Sequence, residues 1–157
     1  MSKIAHVALI TIGVFLGCNS STSNLQELDL LSHGLPIKIM APEGVEIKFD
    51  DLGIVKDMTI SHPDNFGIQI FSQDAKFLEA SRLLEEEKTL VEGSTYFSEI
   101  KYEDDAGFIF EKKIDDDYVN YDFRRIKIRG DQQYLFRALL AEKYTLDQIR
   151  VMYDAVE

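Results

Sequence analysis

Tryptophan is missing from this 157-residue chain, cysteine occurs once, and proline and histidine occur three times each. One cysteine excludes an intramolecular disulfide, and it excludes a zinc site built on paired thiols. Past residue 18 no apolar run approaches the roughly 20 residues that a membrane-spanning helix requires. Basic residues are also few. With 17 Lys and Arg against 28 Asp and Glu, the net charge is −11, a poor match for nucleic acid or anionic lipid head groups. The phosphate-cradling patterns Gly-x-x-x-x-Gly-Lys and Gly-x-Gly-x-x-Gly are absent, as is the Gly-x-Ser-x-Gly nucleophile elbow. Ten Phe and seven Tyr, spread along the chain, supply enough apolar area for a core stabilised by packing alone.

The N-terminus has a pattern of its own. Lys3 is followed by an apolar stretch over residues 4–16 and then by Gly17-Cys18-Asn19-Ser20-Ser21. A positive start, a short apolar run and small residues at the cut are the parts of a secretory signal. The stretch is apolar all round, so it lacks the polar face of a surface helix. Phe15-Leu16-Gly17-Cys18 resembles the lipobox of bacterial lipoproteins. Gly17 and Cys18 match that pattern, whereas Phe15 stands where Leu is usual and Leu16 where a small residue is usual. The resemblance implies removal of residues 1–17 and a lipid on Cys18: a diacylglycerol on the thiol, often with a third chain on the new amine. Several chains give stable anchoring where one gives only marginal binding. Asn19 is not the Asp that resembles an inner-membrane retention signal, which favours the outer membrane, facing the periplasm. Ordinary cleavage after Ser20, giving a secreted product, is one rival reading, and an uncleaved cytosolic chain with Cys18 as a buried small hydrophobe is the other.

Removal of the signal takes one lysine and no acid, leaving about 140 residues that suit one domain. Residues 18–34 read as a lipid-anchored tether with a short helix at Asn24-Leu25-Gln26-Glu27, where an N-cap precedes Leu25, Leu28 and Leu31. Residues 35–157 read as a single α+β domain. Strands are expected where apolar residues alternate: Ile37 and Ile39; Val45, Ile47 and Phe49; Met58 and Ile60; Phe66, Ile68 and Ile70; Tyr96, Ser98, Ile100 and Tyr102; Phe108 and Phe110. A helix with Asp74 as N-cap places Phe77, Ala80, Leu84 and Val91 on one face and stops at Gly93. A long strand runs from 118 to about 129. It changes parity between Phe123 and Ile126, which predicts a bulge at Arg124-Arg125 or a strand covered on both faces. A further strand pairs back from Gln132. Thr145 and Gln148 then form the capping box of a closing helix.

The expected fold is therefore a mostly antiparallel sheet with two main helices packed on it. The element order, above all the hairpin from Tyr118 to Leu139 and the closing helix from Leu146 to Val156, resembles the PsbP-like fold. That fold is shared by a plant photosystem subunit and DcrB-type bacterial lipoproteins. A fold of this kind carries no site across by itself.

Candidate chemistry is sparse. His33 and His62 lie far apart beside Gly and Pro. Ser94 opens a strand. Asp104-Asp105 and Asp115-Asp116-Asp117 lie in turns, but their spacing lacks the ligands and glycine of a calcium loop. Arg124 and Arg125 are the exceptional cations, expected to pair with neighbouring acids. No catalytic, cofactor or metal residue is nominated, and Cys18 as lipid attachment is the one site. The expected role is a membrane-anchored binding or accessory module. Its partners are the membrane, through the Cys18 lipid, and another envelope protein or small ligand, with no nucleic acid. An envelope hydrolase with a site invisible in the sequence is the alternative. In cells fed labelled palmitate, the wild-type chain takes up label and Cys18→Ala does not. Equal labelling of the two would remove the anchor.

Overall fold

The computed structural model describes residues 24–115, 117–140 and 142–156. Cys18 and residues 1–17, read above as a signal, lie outside the described residues. A two-stranded hairpin pairs β1 (Gln26–Asp29) with β2 (Lys38–Ala41). The main sheet contains β3 (Glu46–Asp51), β4 (Lys56–His62), β5 (Phe66–Asp74), β6 (Phe97–Glu103), β7 (Gly107–Lys113), β8 (Val119–Arg129) and β9 (Gln132–Ala138). Their spatial order is β3-β4-β5-β9-β8-β7-β6, and every pairing is antiparallel. Helix α1 (Ala80–Glu92) follows β5 and carries the chain to the β6 edge, and α2 (Leu146–Asp154) closes it. This is the α+β arrangement that the alternating pattern predicts.

Strand alternation divides the apolar residues between two layers. Met58, Ile60, Ile68, Ile70, Ile109, Phe123 and Phe136 face α2, which contributes Ile149, Met152 and Tyr153; β2 closes that core with Ile39 and Ala41. On the opposite face Phe108, Phe110 and Ile126 meet Leu83, Leu84 and Val91 of α1. Full burial of side chains of this size contributes roughly 1.5–3 kcal/mol each. The Thr145–Gln148 capping box starts α2 as expected, and the N–H of Met40 donates to the Ala155 carbonyl at 2.7 Å, tying β2 to the end of the helix.

Three local expectations are corrected. The helix at Asn24–Glu27 is strand β1 followed by a 3-10 turn, Leu31–His33. Pairing of Leu28 with Ile39 and complete burial of Leu30 outweigh the local helical pattern. Packing therefore reaches back into residues preceding 35. Helix α1 starts at Ala80 rather than after Asp74, because Asp74 stays in β5, paired with Gln132 of β9. Strand β6 does not alternate simply. Two register irregularities turn both Phe97 and Ile100 toward α1 and leave Tyr96 and Tyr102 exposed.

The parity change in β8 resolves into the second of the two expected alternatives. Its register with β7 runs unbroken from Val119 to Arg125, so Arg124-Arg125 is not a bulge. The strand is covered on both faces. Gly107 lets β7 pass close to it: a Cβ there would lie 2.2 Å from the Arg124 carbonyl oxygen and 2.9 Å from the Tyr153 ring.

Asp104 fastens α2 to the β6–β7 turn. Its Oδ1 accepts the Tyr153 hydroxyl at 2.6 Å and the N–H groups of Ala106 and Gly107 at 2.8 and 3.0 Å. Burial opposes ionisation of this carboxyl, but those three donors and Arg125 hold its pKa below the usual carboxylate value. A group depressed on folding contributes stability that is present above its unfolded pKa and is lost as the pH falls through its folded one. Asp104→Asn is therefore expected to flatten the loss of unfolding free energy below about pH 4. Denaturant titrations across that range measure it, and an unchanged slope would show that Asp104 is not a source of acid sensitivity.

Candidate functional site

The strand registers give the sheet two ends. Glu46 pairs with Ser61, His62 with Phe66 and Ile68 with Ala138 at one end, where Gln26 of the small hairpin lines a hollow with Gly44 and Val45. Asp29 pairs with Lys38, Asp51 with Lys56 and Asp74 with Gln132 at the other. Nine-residue β5 spans the interval, about 25–30 Å at the rise of a strand.

A cleft of about 680 Å³ opens at the second end. Its floor is one row across the sheet, in which Lys56 of β4 pairs with Ser72 of β5 and Ser72 with Tyr134 of β9. These three occupy the inward parity that Met58, Ile60, Ile68, Ile70 and Phe136 fill with apolar side chains deeper in the sheet. The core thus turns polar in its last row. Gly34, Leu35 and Pro36 form the opposite wall, Gly53 and Ile54 of the β3–β4 turn the outer one, and Asp74 and Gln132 the rim. Gly34 adopts φ +93 while the Phe49 ring packs beside it, with 3.1 Å available to a Cβ, so glycine suits this wall twice over. Ile54 is 88% exposed and Leu52 69%, which puts two apolar side chains at the turn.

The polar groups in and around the cleft are ordered differently. Ser72 and Tyr134 are 2% and 1% exposed. Burial raises the Tyr134 pKa, opposed by its hydrogen bond to Ser72 and by Arg129, so the phenol remains a neutral donor at physiological pH. Asp74 Oδ1 accepts from Gln132 Nε2 at 2.6 Å, and Asp51 Oδ1 accepts from the N–H of Gly53 at 2.9 Å. The Arg129 guanidinium donates to the Pro36 carbonyl. Half-buried Lys56 has no ion-pair partner among the described residues.

The residues singled out in the sequence lie elsewhere. Arg124 and Arg125 point to opposite faces. Arg124 meets Asp122 at 3.2 Å and Glu87 of α1 at 3.4 Å, while Arg125 lies over the Tyr153 ring and 4.0 Å from Asp104. Asp122, 2% exposed, also takes Lys112 at 3.1 Å and the N–H of Ala138 at 3.1 Å, just past the point where β8 and β9 stop pairing. This cluster binds strand to strand and to α1. His33 is exposed in the 3-10 turn, and His62 Nδ1 accepts the Asp64 N–H at 3.2 Å. Among the described residues neither histidine bonds a serine hydroxyl. Ser94 Oγ accepts the N–H of Tyr96. Asp115 Oδ1 accepts from the N–H of Asp117 and Tyr118, and Asp116 lies outside the described residues. Among the described residues, no three His, Cys, Asp or Glu are grouped to hold a metal, and no helix is long and apolar enough to cross a membrane.

Lys56, Ser72, Gln132 and Tyr134 escaped the sequence reading. Their signal is parity: Lys56 continues the inward set of Met58 and Ile60, and Ser72 that of Ile68 and Ile70. A polar residue at an inward position is the informative exception to alternation. No family model matches the chain, and no curated protein or solved structure matches it either.

Tyr134→Phe is expected to destabilise the domain by about 1–3 kcal/mol, because it deprives the buried Ser72 hydroxyl of a partner. The double variant Ser72→Ala/Tyr134→Phe should lose less than the two single losses added together. Chemical denaturation measures both, and strict additivity would show that the hydroxyls do not act as a pair.

Proposed function

We propose that this chain is an envelope lipoprotein, held in the membrane by lipid on Cys18, whose domain is a binding or accessory module working through the cleft above Lys56, Ser72 and Tyr134. The outer membrane, facing the periplasm, is the location this reading favours. Gln26, at the start of β1, lines a hollow with Gly44 and Val45 at the end of the sheet opposite the cleft, and this one observation carries the reading. A domain tethered there presents the cleft and the exposed Leu52 and Ile54 about 25–30 Å from its attachment. The five residues between Cys18 and Asn24 reach about 20 Å at most, so the near end of the domain stays close to the lipid. A cleft of 680 Å³ falls within the range of small-molecule sites, and its mixture of apolar wall and few polar groups fits that class. Element order alone motivates the PsbP-like comparison, and it contributes nothing to the choice of ligand.

A photo-crosslinking amino acid at position 54 of the full chain, activated in intact cells, should give an adduct visible by intact-mass measurement. The same group at Glu46, near the attached end, should give none. Equal adducts at both positions, or none at 54, would overturn the reading.

A further inference from the structure

We propose that the cleft binds a small organic monoanion, a carboxylate on a compact apolar body, with Lys56 as the group that meets the carboxylate. This rests on the reading of the domain as a binding module and adds the chemistry of what is bound.

Lys56 carries the inference. Its backbone pairs with Asp51 on one side and Ser72 on the other, which puts its side chain on the inward face beside two buried hydroxyls. A partly buried ammonium loses hydration, and an anion is what restores the balance. Two acids on the same face are directed elsewhere: Asp51 to the N–H of Gly53 and Asp74 to Gln132. Neither forms an ion pair with Lys56. Lys127 stands in the same row, paired with Tyr134, and Arg129 next to it is paired with Gln132. Three cations, Lys56, Lys127 and Arg129, thus share the face with Asp51 and Asp74, and Asp131 follows in the adjoining turn. That local balance contrasts with the −11 of the whole chain.

The two charge scales select the size of the ligand. A polyanion would feel the acidic surface beyond the cleft, whereas one carboxylate inside it is within reach of Lys56. A carboxylate fills little of 680 Å³. Leu35, Pro36 and Ile54 line the remainder, and they suit an aliphatic or aromatic body rather than a sugar or a second charge.

The test uses the full acylated chain in nanodiscs with two isosteric probes, 4-methylpentanoate and 4-methylpentanamide, followed by amide chemical-shift titration. The carboxylate is expected to bind at least 10-fold more tightly than the amide, with shifts concentrated at positions 53–56, 72–74 and 132–134. Lys56→Met should abolish the discrimination, Lys56→Arg should keep it, and Ile54→Ser should weaken both probes while leaving their ratio. A thermal melt of each variant separates lost binding from lost folding. Equal affinity for the two probes, discrimination retained in folded Lys56→Met, absence of binding, or shifts at the opposite end of the sheet would each overturn the proposal. A protein-sized adduct at position 54 together with no carboxylate binding would defeat the ligand class and leave the binding module standing. No adduct at 54 together with Lys56-dependent binding would do the reverse.

Discussion

Strand β8 has to serve two cores at once, and the rest of the domain depends on that. Tyr121 and Phe123 belong to the core shared with α2, and Ile126 and Ile128 to the core shared with α1. A strand in this position cannot show the simple alternation of a half-exposed strand. It also cannot tolerate a bulky neighbour, which is why β7 approaches it through Gly107. Both arginines that interrupt its apolar pattern are consumed in holding helices: Arg124 reaches Glu87 on α1, and Arg125 lies against Tyr153 on α2. Charged side chains here do structural work because each has an acid or a ring within contact distance. An unpaired charge at the same depth would cost several kcal/mol.

Polar residues at inward positions divide into two kinds by their surroundings. Asp122 is nearly sealed and its carboxylate is saturated by Lys112, Arg124 and two backbone N–H groups, Phe123 and Ala138. It replaces the ladder bonds that β8 and β9 cease to make. Ser72 and Tyr134 are as deeply buried, but they border open volume, and half-buried Lys56 beside them has no ion-pair partner among the described residues. Burial alone therefore does not distinguish a structural polar group from one available to a ligand. Saturation of its bonding capacity does.

Much of the architecture was legible in the chain. The period-2 runs located the strands of the main sheet, and the Thr145–Gln148 box located the last helix. What was missed depended on partners distant in sequence. Leu25, Leu28 and Leu31 are spaced as in a helix, yet β2 recruits this stretch into a hairpin, and the deciding residue, Leu30, lies off the presumed helical face. Asp74 has the chemistry of an N-cap, but Gln132, 58 residues away, holds it in β5. The cleft was illegible for a similar reason. Lys56, Ser72 and Tyr134 are adjacent only because two separate pairings bring their strands into one row. Parity marked Lys56 and Ser72 as unusual, but no local rule could say that they were neighbours.

The irregular register of β6 has a consequence for how many copies of this domain can share one surface. A sheet of seven strands ends in two open edges, each a template for the strand of a neighbour. On β6 the two breaks in pairing leave no continuous row of donors and acceptors to copy, and Lys101 is held between Glu99 and Glu111. On β3, Glu46, Lys48, Asp50 and Asp51 put four charges into six residues. Molecules confined to a plane meet edge to edge far more often than molecules in free solution. Were this domain held in a plane by the proposed anchor, edges that refuse to zip would let such a population stay crowded and separate.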